Sequence, residues 1–517
     1  MRAWRAAVLA ALFASVAKAA AAQDVTLRSP DGGVEIEGTL LGFDGQFYRV
    51  DTAYGELTVD GSGVLCEGPG CPSLEPFVAE MRFSGSATIA DVLLPALIEG
   101  FALRSGFAVV RMRPDDSHSL FTLSEPGGET LARFHLRATT TDEGFADLLA
   151  DEADVALAVR EIRPGEAARA REAGLGDLEA AGSSRILALD GLVPVVAPGN
   201  PVVAIAPIDL ARVFAGTIDN WQALGGPDAP ITLHLRDAAS GLGQAVTDRL
   251  LAPAGLTLAE DAVRHDSDAA LAQAVARDRL GLGIASFAEL GNTQPLTLTG
   301  RCGFGLRPER RAIKMEDYPL TTPLFLYLPM RRLPEIARDF LVYLRSAPAQ
   351  IVIRRAGFVD QAAEEVQIAD QGDRLANAIA SAGPEVPLAE LQRMVRELGK
   401  MRRLTISFRF RAGSVALDAQ SRANVLALAQ SLAEGRYDGR RLVFVGFSDG
   451  QGPAVTNAQI AARRAEAVRD AVLAAADGAD LSRVQIGTDA FGEAMPMACD
   501  ESAWGRQVNR RVEVWVR

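Results

Sequence analysis

Glu143-Gly-Phe-Ala-Asp-Leu-Leu149, then Ala150-Asp-Glu-Ala-Asp154, then Val155-Ala-Leu-Ala158 decides the fold class. The first run spaces its apolar residues as a helix does. The acidic run interrupts it, and the last four residues read as a buried strand. The same alternation continues on both sides, with strands expected over Phe107–Val110 and Val193–Val196. Strands alternating with helices across residues 79–357 predict parallel α/β layers. The span is too long for one small domain, so two lobes are expected.

Residues 24–78 have a different rhythm. Val34-Glu-Ile36, Phe47-Tyr-Arg-Val50 and Glu56-Leu-Thr-Val59 alternate with period two between Gly and Asp turns. That pattern predicts a small antiparallel β unit, bounded by Gly68-Pro-Gly-Cys-Pro72. Cys66 and Cys71 flank a turn that can join them, and a local bridge would support so small a core. Cys302 and Cys499 lie far apart; a pair across domains and two buried thiols both remain open. Ahead of this unit, Arg2 and Arg5 precede an apolar run from Ala6 to Ala17 and the small residues Ala20-Ala21-Ala22. Residues 1–22 therefore read as a cleavable export signal, and the β unit as 23–78.

Beyond the α/β region, Leu388, Leu391, Met394, Val395 and Leu398 repeat at helical spacing behind Pro384 and Pro387. Residues 358–402 are read as a helical linker. Residues 403–517 then form an α+β domain: strand 404–408, helix 419–432, strand 441–447, helix 457–474 and strand 511–516. The fold class is thus α/β and multidomain, with a small N-terminal β unit and a C-terminal α+β domain.

Composition narrows the function. The 517 residues are 48% apolar, 23% charged and 6% aromatic, and the formal net charge is −13. An acidic chain with few aromatics is a poor match for a nucleic-acid partner. The four histidines, His118, His135, His234 and His265, have no ligand-spaced His or Cys neighbour, so neither metal nor cofactor is expected. Gly446-Phe-Ser448-Asp-Gly450 fits the spelling of a nucleophile elbow, but Gly450, Gly452 and Pro453 delay the helix that such a Ser needs. No enzyme is expected.

That segment has a better reading. Gly446-Phe-Ser-Asp449-Gly-Gln-Gly452 and Asn457-Ala-Gln-Ile-Ala-Ala-Arg-Arg464-Ala465 resemble the OmpA C-terminal family. Phe410 to Leu417 resembles its opening signature, and Asn509-Arg-Arg-Val-Glu513 its closing one. The resemblance implies non-covalent binding of peptidoglycan through the diaminopimelate of the stem peptide. It gives Asp449 the ligand's ammonium and Arg464 its carboxylate, with Asn457 and Ser448 in support. One anion and one bidentate cation suit a zwitterionic amino-acid end. Ser448 keeps the family's hydroxyl; Ile460-Ala461 loses one.

Phe83 to Asp91, Ala153-Asp-Val-Ala-Leu-Ala-Val-Arg160, Ala188 to Leu192, Val213 to Trp221, Arg236-Asp-Ala-Ala-Ser240-Gly241 and Tyr318-Pro-Leu320 resemble, in order, the phosphate-binding periplasmic proteins of ABC transporters. The resemblance implies two lobes with an oxyanion between them. By position, Ser86 and Thr88 belong to the first loop, Thr141 to the second, and Arg236, Ser240 and Gly241 to the third, with Asp237 orienting Arg236. Taken alone, Thr139-Thr-Thr141 is a helix N-cap. Two departures stand out. Leu242 replaces a hydroxyl, and Val159 replaces an acceptor for a protonated oxyanion.

Together these readings predict an exported periplasmic protein, associated with the cell wall or outer membrane. It would bind peptidoglycan and phosphate or a related oxyanion, with an ABC permease or another envelope protein as partner. The alternative is a structural wall-binding protein whose lobes are an interaction scaffold.

Overall fold

The computed structural model describes residues 24–30, 32–72, 77–180, 182–410, 414 and 416–517. The export signal and its cleavage site lie outside the described residues, as do Arg411, Ala412, Gly413 and Val415 of the opening signature. The chain divides into two compact units.

The first unit holds the residues up to Ala79 together with Arg332–Arg338. Strands β1 (Val25–Arg28), β2 (Glu35–Phe43), β3 (Phe47–Thr52), β4 (Gly55–Asp60) and β5 (Leu65–Glu67) pair in the order β4-β3-β2-β1-β5. Every neighbour is antiparallel, as the period-two pattern requires. Val25, Leu27, Tyr48 and Val50 fill a small core. The Cys66–Cys71 disulfide, with Cα atoms 5.8 Å apart, closes its edge. Buried Asp44 accepts from the Phe47 amide and from Arg332 Nε, at 2.6 and 2.7 Å.

The second unit is Glu80–Arg331 with Asp339–Arg517. Its large sheet contains β6 (Ala79–Ser86), β7 (Ala108–Met112), β8 (His118–Ser124), β9 (Thr130–Thr139), β10 (Val155–Ala158), β11 (Ser184–Val196), β12 (Thr232–Arg236), β13 (Val263–His265), β14 (Gly281–Ser286) and β15 (Thr321–Tyr327). Their order is β13-β12-β14-β11-β15-β10-β6-β9-β8-β7. The expected parallel pairing holds for β6 with β10 and for β12 with both β13 and β14. It fails for β7, β8 and β9, which form an antiparallel meander, and for β15 with β10 and β11 and β11 with β14, which are also antiparallel. The connections Arg113–Ser117 and Glu125–Glu129 are hairpin length, too short for a parallel crossover. Strands β11 and β15 cross between the lobes. Residues 184–191 pair with 327–321 of β15, while 192–196 pair with β14.

The C-terminal sheet is β16 (Glu365–Gln367), β17 (Arg402–Arg409), β18 (Arg441–Phe447), β19 (Gln485–Gly492) and β20 (Arg511–Val516), ordered β16-β17-β20-β18-β19. Residues 358–402 are therefore more than a linker. They supply edge strand β16 and two helices, Arg374–Ala380 and Leu388–Leu398, whose Ala378, Leu391, Met394 and Leu398 pack on Phe447, Phe491 and Trp515. The other sheet face is covered by helices Ala419–Ala433 and Ala454–Ala475.

This domain is fused to both lobes. Ala419 joins the first lobe's apolar cluster, and Trp504 joins the second lobe's while donating to the Arg249 carbonyl at 2.7 Å. Cys302 and Cys499 form a disulfide. At the hinge, Arg403 grips Asp317 with two parallel hydrogen bonds of 2.6 and 3.0 Å, both groups being buried. Arg374 and Arg511 meet Glu513 beside them. No helix among the described residues is long and apolar enough to cross a membrane.

Candidate functional sites

The cleft site starts at the end of β6. Gly85 has φ +138°, and a Cβ there would lie 2.2 Å from the Leu157 carbonyl oxygen, so only glycine lets β6 run this close to β10. The strand delivers Ser86 into the interior, fully buried, with an Oγ that has no hydrogen-bond partner. Opposite it stands Gly241, first residue of a short helix, Gly241–Ala245. A Cβ on Gly241 would lie 2.9 Å from Ser86 Oγ and 2.5 Å from Val159 Cγ2. Ser86, Gly241 and Val159 thus meet at one point, and the valine methyl groups occupy part of it.

The other cleft residues are placed less directly. Thr140, not Thr141, caps the helix Thr141–Leu149 by accepting from the Glu143 amide at 3.1 Å. Buried Thr141 accepts from the Val159 amide at 3.3 Å. Thr88 is half-buried at the start of a π-helical turn, Thr88–Leu93. Ser240 caps its own helix, accepting from the Gly243 amide and donating to the Asp237 carbonyl.

Arg236 requires a correction. Its guanidinium is oriented by Asp268, not Asp237, and it also donates to the carbonyls of His265 and Asp266, at 3.1 and 2.9 Å. The cause is register: parallel pairing sets Arg236 opposite His265, which brings the 265–268 loop alongside. Asp237 instead accepts from the Ala239 amide in its own turn.

Sequence reasoning missed the polar bridge across the cleft. Gln244 of the second lobe donates to Asp142 of the first at 2.8 Å and accepts from Arg160 at 3.4 Å. Burial opposes the Arg160 charge, but Glu166 and Asp142 outweigh it and hold the guanidinium above the ordinary arginine range. An arginine closing an apolar strand was the available signal. Asp190, buried on β11, accepts from the Ser286 hydroxyl at 2.6 Å, and burial pushes its carboxyl up to about 6.

The second site lies at the end of β18. Ser448 is 4% exposed, and its Oγ has no partner. Asp449, 8% exposed, accepts from Arg510 at 2.7 Å. Asn457 donates to Glu493 at 2.9 Å, and Asp500 accepts from the Gly450 amide and from Asn509. Arg464 comes from the helix Ala454–Ala475. It is 7% exposed, stacks on the Phe410 ring at 4.8 Å, and leaves Nε without a partner. It forms no ion pair among the described residues. Burial, then the Arg510 charge, pushes Arg464 down, while Asp449 pulls it back. A desolvated cation with free donors beside a carboxylate is chemistry suited to an incoming zwitterion. Arg510 and Asp500 were missed as site residues, because the fold brings them to Asp449 and Gly450 from 61 and 50 positions away. Among the described residues no three His, Cys, Asp or Glu side chains gather as a metal site.

Two regions of the chain are similar to known families. A PBP superfamily domain matches residues 75–348, and the OmpA family matches 409–510. The protein SphX of Synechococcus elongatus is 27% identical over 276 residues, which is 50% of this chain and 79% of SphX. The phosphate-binding protein PstS of Borreliella burgdorferi is 23% identical over 188 residues, 35% of this chain and 67% of PstS. Among solved structures, an ABC-type phosphate transport receptor from Vibrio cholerae aligns at 20% identity and TM-score 0.42, covering 54% of this chain and 99% of that one.

Proposed function

Because the chain belongs to the PBP superfamily and carries an OmpA family domain, we propose that it is a wall-anchored periplasmic solute-binding protein. The C-terminal domain takes the diaminopimelate end of a peptidoglycan stem peptide, and the central cleft takes phosphate or a related oxyanion. One observation carries the reading. Ser448 Oγ and Arg464 Nε are buried and unpartnered beside Asp449, and leaving buried donors unsatisfied costs about 1–3 kcal/mol each unless a ligand meets them. The orphaned Ser86 hydroxyl supports the cleft half in the same way. Phosphate as cleft ligand follows the phosphate-binding proteins PstS to which the central region is similar. The role is one of binding rather than catalysis.

A second reading, lobes kept as a scaffold without a ligand, is favoured by the Val159 methyl groups at the cleft point and by Arg236, whose three nitrogens are all engaged. Two assays decide. Mature full-length protein should sediment with purified peptidoglycan. Asp449→Ala and Arg464→Ala should each release it, and exposed Arg463→Ala should not. Retention of both site variants sinks the wall assignment. Calorimetry against phosphate and sulfate should give binding that Ser86→Ala weakens. No heat with either anion leaves the scaffold reading.

A further inference from the structure

A groove of about 770 Å³ opens between the first lobe and the C-terminal domain. One wall carries Arg185, near the start of β11, and Arg345, just past the helix Glu335–Tyr343. The other is small-residue backbone and side chain, with Ala429, Ala433, Ala476 and Gly478 among its lining. Arg185 Nε is buried without a hydrogen-bond partner. Neither arginine comes within 4.0 Å of a carboxylate among the described residues. Asp480, also on the rim, is turned to Ser482 and Arg483. Asp477 also lines the groove; with neither aspartate paired to them among the described residues, the two like charges repel each other, and burial adds to the cost. Burial and then the Arg345 charge push the Arg185 guanidinium down from its ordinary range.

We propose that this groove is a second anion site, separate from the cleft and from the wall pocket, whose occupant is a phosphate monoester held by Arg185 and Arg345. The charge match is direct: a monoester carries close to two negative charges at neutral pH, and two guanidiniums offer paired N–H donors to its oxygens. The space is far larger than a phosphate group and falls within the range of small-molecule sites. The alanine and glycine wall leaves room for the body of the ester. That body can be a free sugar phosphate or the phosphorylated end of a wall glycan, since both present the same group.

Calorimetry of the mature protein with glucose 6-phosphate, inorganic phosphate and glucose tests the site. Glucose 6-phosphate should bind and glucose should not. Arg185→Gln and Arg345→Gln should each weaken binding about 30-fold, the loss expected when a charge-assisted pair is broken, whereas Ser86→Ala should leave it intact. Arg345 is exposed at a helix end, so its variant keeps the fold even if the Arg185 variant does not. To separate the two sources, glucose 6-phosphate binding is measured in competition with solubilised wall fragments before and after phosphatase treatment of the fragments. Competition that is lost after treatment assigns the wall glycan, and glucose 6-phosphate binding without competition assigns a free ester. Absence of binding in the wild type at millimolar ester, affinity that survives both arginine variants, or loss in Ser86→Ala overturns the proposal.

Discussion

Asp317→Asn should destabilise the whole second unit. The substitution keeps the side-chain shape and removes one of two carboxylates in a buried cluster that also holds Arg374, Arg403, Arg511 and Glu513. Of the two arms of the Arg403 fork, at 2.6 and 3.0 Å, the Asn oxygen can still accept one while its NH2 opposes the other, and Arg403 keeps Ser407 Oγ at 2.8 Å and Glu513 at 3.5 Å. The lost charge-assisted bond costs about 1.5–3 kcal/mol, and the surviving one loses its ionic share. Breaking one side of a buried ion pair gives about 3–5 kcal/mol, the upper limit here. The assay is urea unfolding of the full chain followed by tryptophan fluorescence, because Trp221 reports the second lobe while Trp504 and Trp515 report the C-terminal domain. The midpoint should fall for all reporters together. Asp317→Leu with Arg403→Met should cost less than Asp317→Asn, because no unpaired charge remains. A single variant within about 1 kcal/mol of wild type, the worth of a surface pair, would refute the reasoning. The same pair sets an acid limit. Burial raises the Asp317 carboxyl, but the facing Arg403 wins and holds it below the ordinary range. That stabilisation is present above about pH 4 and is lost as acidification passes through the depressed value.

Glu316 has the opposite sign. Burial, and then Asp418, push it up to about 8, so wild-type stability falls as pH rises from the ordinary glutamate range through that value; Glu316→Gln should be the more stable protein in alkaline thermal melts and lose that advantage near about pH 5. Cys302→Ser with Cys499→Ser opens a loop of 197 residues, for which the chain-entropy relation gives at most about 5 kcal/mol, readable as a lowered urea midpoint. Val159→Ser should raise phosphate affinity in calorimetry by about tenfold, the worth of one added hydrogen bond in the cleft, and an unchanged affinity would place the ligand away from Ser86 and Gly241.

Local pattern carried the element reading where strands are apolar and bounded by turns. Val155–Ala158, Arg441–Phe447 and Arg511–Val516 appear with the expected limits. It misled at the meander, although Pro126-Gly-Gly128 is a turn signal between two alternating runs. The amphipathic helix at 388–398 was legible. Its target was not, because the apolar face of Phe447, Phe491 and Trp515 exists only once the sheet has formed. The motif spelling singled out Ser448, Asp449, Asn457 and Arg464. Their supports Arg510, Glu493 and Asp500 depend on contacts between distant segments, which spacing does not encode. Asp268 displaced Asp237 beside Arg236 for the same reason: the choice is made by the β12–β13 register, which no local run of residues displays.

The position of β20 governs the order of assembly. It lies between β17 and β18 in the sheet yet follows both in sequence, so the sheet is completed from the middle by its latest strand. Pairings of this kind raise contact order and slow folding. The cysteines fit that sequence of events. Cys66 and Cys71 are five residues apart and close a loop at little entropic cost, whereas Cys302 and Cys499 must wait for segments 197 residues apart to meet. Early oxidation of the local pair leaves only two thiols for the late step. The long bridge then has a single partner to find, and four cysteines reach one connectivity out of three.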